Sequence, residues 1–245
     1  MMDNHALFYL VIALFAVIQS VFGMGILVFG TPTLLMLGVD FSSVLGLLLP
    51  SSVLISLTQT LGARRIAFPA REKINMLICA IFVILALSLV LHSTVKVNVD
   101  LLVGAILLFS ALMRFRLSLQ ETLKRYLGKH QRAYIAIMGL IHGVTNMGGA
   151  LLALYAAASH REKLEIRTTV SRYYLMFGLI QLATLASIKW QALSLDGFTA
   201  APLALLVYLV VGNLLFKRAS APVYEKMVTG FIAFYGVVVL TKGYL

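Results

Sequence analysis

Two apolar stretches in this chain are too long for one straight membrane crossing, and glycine cuts both of them. Ala6 to Leu37 and Tyr134 to Ala158 exceed the roughly 20 residues that carry a helix across hydrocarbon, with interruptions at Gly23-Met24-Gly25 and Asn146-Met147-Gly148-Gly149. A peptide break at membrane depth strips backbone N–H and C=O groups of partners, so it survives only where protein or a water-lined cavity supplies them. The pattern predicts a pair of short helices joined at a tip in each stretch, a hairpin that enters and leaves on the same side.

Composition puts the rest of the chain in the bilayer too. Of 245 residues, 61% are hydrophobic and 12% charged, and the mean hydropathy of +0.97 is more apolar surface than one water-exposed core can hide. The net charge of +11 would suggest nucleic acid in a soluble protein, but the basic residues sit in short loops between apolar runs, where they act as orientation signals; no nucleic-acid partner is expected. Cys79 is the sole cysteine, so no intramolecular disulfide forms. His5, His92, His130, His142 and His160 are scattered, without a second ligand at metal spacing, and the interior offers no carboxylate pair, no nucleophile with a base and no phosphate loop. Neither a metal, a cofactor nor an enzymatic activity is expected. Met1 to His5 lacks Lys and Arg, and no small-residue cleavage site follows Ala6 to Phe22, so the first run is expected to stay in the mature protein.

The fold class is therefore all-α, a polytopic transmembrane helical bundle. Full spans are predicted at 43–61, 74–91, 99–113, 170–188, 198–216 and 228–241. Four loops are basic: Arg64 to Lys73, Arg114 to Arg132, Arg161 to Arg167, and Lys217 to Lys226. Between them, His92 to Asn98 carries only Lys96, and Lys189 to Gly197 sets Lys189 against Asp196. With basic loops inside, the second hairpin starts and ends in the cytoplasm and the first outside. The chain thus reads as an inverted repeat: residues 1–125 (hairpin 6–37 and three spans), then residues 126–245 (hairpin 134–158 and three spans). Both termini fall on the non-cytoplasmic side of a plasma membrane. Gln19 to Gly25 runs alongside His142 to Gly148, and Gln59 echoes Gln181.

After each break a new helix begins, so its first N–H groups and positive dipole end point at the tip. Two tips entering from opposite faces would meet near the middle and build an anion site from backbone. Gly23, Gly25, Thr31, Thr145, Asn146, Gly148 and Gly149 are the candidate substrate-binding residues at the tips, and Gln59 and Gln181 are placed to complete an oxyanion shell. Each also admits a packing role, since small and amide residues hold membrane helices together. His142, four residues before Asn146, is a candidate for proton coupling. Arg167 and Arg172 are candidates for a cytoplasmic gate, with snorkelling to lipid phosphate as the alternative for Arg172. Tyr173, Tyr174 and Trp190 read as belt or packing aromatics.

At these residues the chain resembles the sulfite exporter TauE/SafE family of membrane permeases. The likeness rests on Phe22-Gly23-Met24-Gly25 followed by Thr31-Pro32, and on Gly143-Val144-Thr145-Asn146-Met147-Gly148-Gly149 followed by Tyr155 and Arg167-Thr168. Ile26 and Leu27 stand where the family's first run is richer in glycine, and Ala150 where a proline often follows the second. The resemblance implies export or exchange of small sulfur-containing or organic anions, sulfite among them, from a bacterial inner membrane without a bound cofactor. A second reading, a non-transporting membrane assembly or insertion factor that thins the bilayer, is kept beside it; glycine faces also permit a homodimer.

Overall fold

The computed structural model describes residues 2–93 and 100–242; Lys96 and the first residue of the expected span 99–113 lie outside them. Among the described residues ten long helices follow in order, besides a 3-10 turn at Trp190–Ala192: α1 Met2–Phe22, α2 Ile26–Met36, α3 Phe41–Gly62, α4 Ala70–His92, α5 Asp100–Phe115, α6 Leu117–Thr145, α7 Gly149–Ser159, α8 Lys163–Ile188, α9 Leu195–Arg218 and α10 Ala221–Lys242. No strand occurs among the described residues. Both breaks fall where the glycines predicted them, between α1 and α2 and between α6 and α7.

α3, α4, α9 and α10 are each long and apolar enough to cross a membrane. Their outward faces carry large bare hydrophobics, Leu77, Leu85 and Leu89 on α4, Leu206 and Val210 on α9, Phe234 and Val237 on α10, which in water would be a liability and in lipid is the expected surface. Two helices that hold expected spans are not among the four: α5, with span 99–113, is short at 16 residues, and the other is α8, with span 170–188. Its polar side chains explain this: Arg167, Thr168, Thr169, Ser171 and Gln181 are all buried, because α8 packs against α3, α4 and α7. A helix sheathed by protein need not be apolar all round.

α3 lies against α8, α3 against α9, α4 against α8 and α6, α5 against α10, and α1 against α9. α3 starts on Asp40, whose carboxylate accepts from the backbone N–H of Ser42 and Ser43 at 3.1 and 3.2 Å and from the Ser42 hydroxyl at 2.6 Å. Burial works to raise the pKa of this carboxyl, but the hydrogen bonds from Ser42 and Ser43 hold it below the usual carboxylate range.

One expectation needs correction. The basic segment from Arg114 to Arg132 is not a loop: α6 begins at Leu117, after a sharp bend from α5, and is interrupted only at His130, whose φ of −124° and ψ of 27° are non-helical. Leu123 and Leu127 are buried four residues apart while Lys124, Arg125 and Lys129 are exposed, so the charged segment is one amphipathic helix lying on the bundle. Nor is Arg114 a loop residue. Its buried guanidinium donates to Ala153 O at 2.9 Å and Thr229 Oγ1 at 3.2 Å, and pairs with Glu225, tying α5, α7 and α10 together. Arg114→Ala removes the bonds to Thr229 Oγ1 and Ala153 O and leaves the Glu225 carboxylate without its cation; a loss of about 2 kcal/mol is expected, read as a lower thermal midpoint of the purified protein in detergent.

Candidate functional site

The first tip is built around Gln19. α1 ends at Phe22 because Gly23 turns into the left-handed region (φ 78°), a conformation glycine adopts without steric cost. Gly25 admits no side chain, since a Cβ there would lie 2.5 Å from the backbone N of Gln19 and 2.8 Å from Phe15 O. The chain then enters α2, and the Ile26 N–H, one of the donors that helix geometry leaves unpaired, is taken by Gln19 Oε1 at 3.2 Å. Gln19 Nε2 donates to Ser52 O, Ser52 Oγ and Ser56 Oγ at 3.0–3.1 Å.

Gln59 closes the same tip from α3. Its amide donates to Gln19 O and Ser20 O, both at 3.1 Å, and its Oε1 accepts from Ser171 Oγ at 2.7 Å. Arg167 reaches the tip from α8, donating to Ser20 O at 3.1 Å with its guanidinium 3.4 Å above the Phe216 ring. Arg167 is thus a buried cation behind the first tip.

The second tip repeats the layout with different residues. Asn146 takes the left-handed conformation (φ 61°) and its N–H caps α6 on His142 O at 2.7 Å, as the Gly23 N–H bonds Gln19 O at 2.8 Å. Thr145 Oγ1 accepts from the Met147 N–H at 3.1 Å. Gln181, from α8, donates to Asn146 Oδ1 at 3.1 Å, and its Oε1 lies 3.3 Å from His142 Nε2. An amide oxygen only accepts, which assigns the proton to His142 Nε2. His142 stacks on Phe177 at 3.8 Å between ring centres.

Across the gap, Asn146 Nδ2 donates to Thr31 Oγ1 of α2 at 2.8 Å, and Gly149 lies so close to Val28 and the Tyr174 hydroxyl that a Cβ would collide with both. The starts of α2 and α7 therefore stand side by side, held by one polar bridge. Thr31, Thr145, Asn146, His142 and Gln181 are fully buried, so this is a closed arrangement in which protein groups occupy each other.

The structure thus joins Thr31, His142, Thr145, Asn146, Gly148, Gly149 and Gln181 in one cluster and Gly23, Gly25, Gln59 and Arg167 in its neighbour. Both glutamines presently fasten a tip to α3 or α8 rather than facing open space. Arg172 stays apart: it donates to Ile66 O at 2.7 Å and Ala67 O at 2.9 Å and covers the Phe68 ring, clamping the α3–α4 loop. Arg172→Gln is expected to free that loop, seen as faster limited cleavage by trypsin at Arg64 and Arg65. Tyr173 and Tyr174 are buried packing residues, not a belt, whereas Trp190 is 67% exposed.

Sequence reasoning missed Gln19, Ser52, Ser56 and Ser171 as tip residues. A signal existed: Ser52, Ser56 and Gln59 stand at helical spacing on an otherwise apolar span, which puts them on one face, and Gln19 precedes its break by the same four residues as His142. Among the described residues no three His, Cys, Asp or Glu side chains are grouped as metal ligands would be.

The family model for the sulfite exporter TauE/SafE family matches residues 8–239, nearly the whole chain. No curated protein and no solved structure matches it.

Proposed function

This chain belongs to the sulfite exporter TauE/SafE family of membrane transporters, and from that premise we propose that it exports a small anion, sulfite or a related sulfur-containing or organic anion, bound between the two hairpin tips. The observation that carries the reading is the Asn146–Thr31 bridge, which brings two helix starts side by side. Helix N-termini attract anions through their free N–H groups and dipole, and Thr31, Asn146 and Gln181 supply further donors once their mutual bonds open.

The two halves are read as an inverted repeat, with both termini outside a bacterial inner membrane. The packing supports the repeat. Exchanging α1–α5 with α6–α10 maps α3–α8 and α5–α10 onto themselves, swaps α3–α9 with α4–α8, and swaps α4–α6 with α1–α9. Rocking of one half against the other, with the tips as pivot, moves the anion. With the inside negative, each net negative charge leaving gains about 2.3 kcal/mol per 100 mV, so export needs no resident acidic coupling group; if a proton is coupled, His142 carries it.

The test is flux of radiolabelled sulfite in liposomes holding the purified protein, with and without a potassium potential set by valinomycin. Sulfite flux that follows the potential is the expected result. Absence of flux for sulfite, sulfate, thiosulfate and sulfoacetate would overturn the reading.

A further inference from the structure

Away from the tips, a cleft of about 720 Å³ opens where the start of α4 meets the kink of α6, lined by Arg71, Asn75, Lys129, His130, Gln131 and Arg132 among others. Its rim is cationic: Arg71, Lys129 and Arg132 are exposed there. Its floor is polar and buried, because Asn75 is 2% exposed and donates to the Tyr155 hydroxyl at 3.3 Å, as Gln131 Nε2 does at 2.6 Å.

That hydroxyl in turn donates to Glu72 Oε2 at 2.9 Å. The four side chains come from α4, α6 and α7, so they knot together the three helices around the cleft. Glu72 Oε1 is buried beside the Tyr173 hydroxyl, and neither has a further hydrogen-bond partner.

The row continues inward. The buried Tyr174 hydroxyl and His142 Nδ1 have no partner either, Tyr174 abuts Gly149 at the tip, and His142 bonds Gln181 of the Asn146 cluster. Buried polar groups are nearly always paired, and an orphan is destabilising. Tyr173 lies against Tyr155, Tyr174 against His142, and Phe177 against both tyrosines, so these side chains make one seam from the floor of a cationic cleft to the second tip.

Resting on the transport reading above, we propose that this cleft is the cytoplasmic loading site for the small oxyanion, and that the Glu72–Tyr155 pair is the latch between the cleft and the second tip. The cations on the rim draw the anion in. At the floor it meets two amides, now donating to the Tyr155 oxygen, and the Tyr155 phenol, now held by the resident Glu72 carboxylate, all donors suited to an oxyanion. Glu72 is then a built-in competitor: the arriving anion takes its place on Tyr155, and the freed latch lets the seam open toward the tip.

The test combines equilibrium binding of radiolabelled sulfite to the purified protein with uptake into inside-out membrane vesicles, whose outer face is the cytoplasmic one. Arg71→Gln/Arg132→Gln is expected to weaken binding and raise KM on the order of tenfold, as lost charge-assisted contacts do, with maximal flux held within about twofold. Glu72→Gln keeps the shape but removes the competing charge, so it binds sulfite more tightly, an effect that a purely structural Glu72 would not produce.

Unchanged binding and KM in the double variant, with flux intact, overturn the loading site and leave the transport reading standing. Weaker or unaltered binding in Glu72→Gln overturns the latch. Binding that depends on Arg71 and Arg132 without any flux in the parent protein sustains the cleft and sinks the transport reading. A parent protein that neither binds nor carries sulfite overturns both for this anion.

Discussion

Sulfite flux through Gly148→Leu protein is expected to fall at least about a hundredfold, with the protein still inserted in the membrane. Gly148 precedes α7, and its φ of −60° is open to any residue, so the loss is steric and not a matter of backbone strain. A Cβ there would stand 2.6 Å from His142 Cβ and 3.0 Å from Met138 O. No neighbour can yield: both contacts belong to α6, so α6 and α7 must spread apart, which carries the start of α7 away from Thr31. Displacements of about 1 Å suffice to cost a hundredfold where function needs fixed geometry. Gly148→Ala needs the smallest shift and retains more flux. Gly230→Leu is the control, because a Cβ at Gly230 meets nothing within 4 Å, and full flux is expected. Flux in Gly148→Leu equal to the control would remove the tip from the pathway.

Asn146→Asp is the second large effect and separates charge from shape. Aspartate has the size of asparagine, tolerates the left-handed backbone at φ 61°, and can still accept from Gln181. The Nδ2 donor to Thr31 becomes an oxygen that can accept from the Thr31 hydroxyl, and the larger change is the charge. An anion about 5 Å from a new carboxylate is opposed by about 3 kcal/mol at an effective dielectric of 20, more than a hundredfold in affinity. Asn146→Gly keeps the turn and adds no charge, but it leaves Thr31 and Gln181 without their partner, at a cost of about 1–3 kcal/mol in stability. An anion site at the tip predicts that flux in the aspartate variant is far below flux in the glycine variant at neutral pH. If the two variants carry sulfite equally well, the tip does not hold a negative substrate.

Several features of the fold are legible in the amino-acid sequence. The two breaks sit at Gly23–Gly25 and Asn146–Gly148 because no straight helix fits runs of that length with glycine inside, and the expected spans fall within helices because twenty apolar residues in lipid have no other way to pair their backbone. The amphipathic start of α6 was not legible as a helix, since its charges masked Leu123 and Leu127, and Arg114 looked like a loop marker because nothing in sequence shows that Ala153, Thr229 and Glu225 converge on it.

The start of α6 apart, local sequence therefore determined which segments are helical, where the two long apolar runs break, and that the chain lives in a bilayer, because these follow from apolar length and the conformational freedom of single residues. Tertiary structure alone decided what those breaks face. Thr31 and Asn146 lie in different halves of the chain and meet only because α2 and α7 pack side by side. Gln59 and Gln181 look interchangeable in sequence, yet one closes on Gln19, Ser20 and Ser171 and the other on Asn146 and His142. Hydrogen bonds between residues far apart in the chain depend on where helices dock, and docking is a property of whole faces that no short motif encodes.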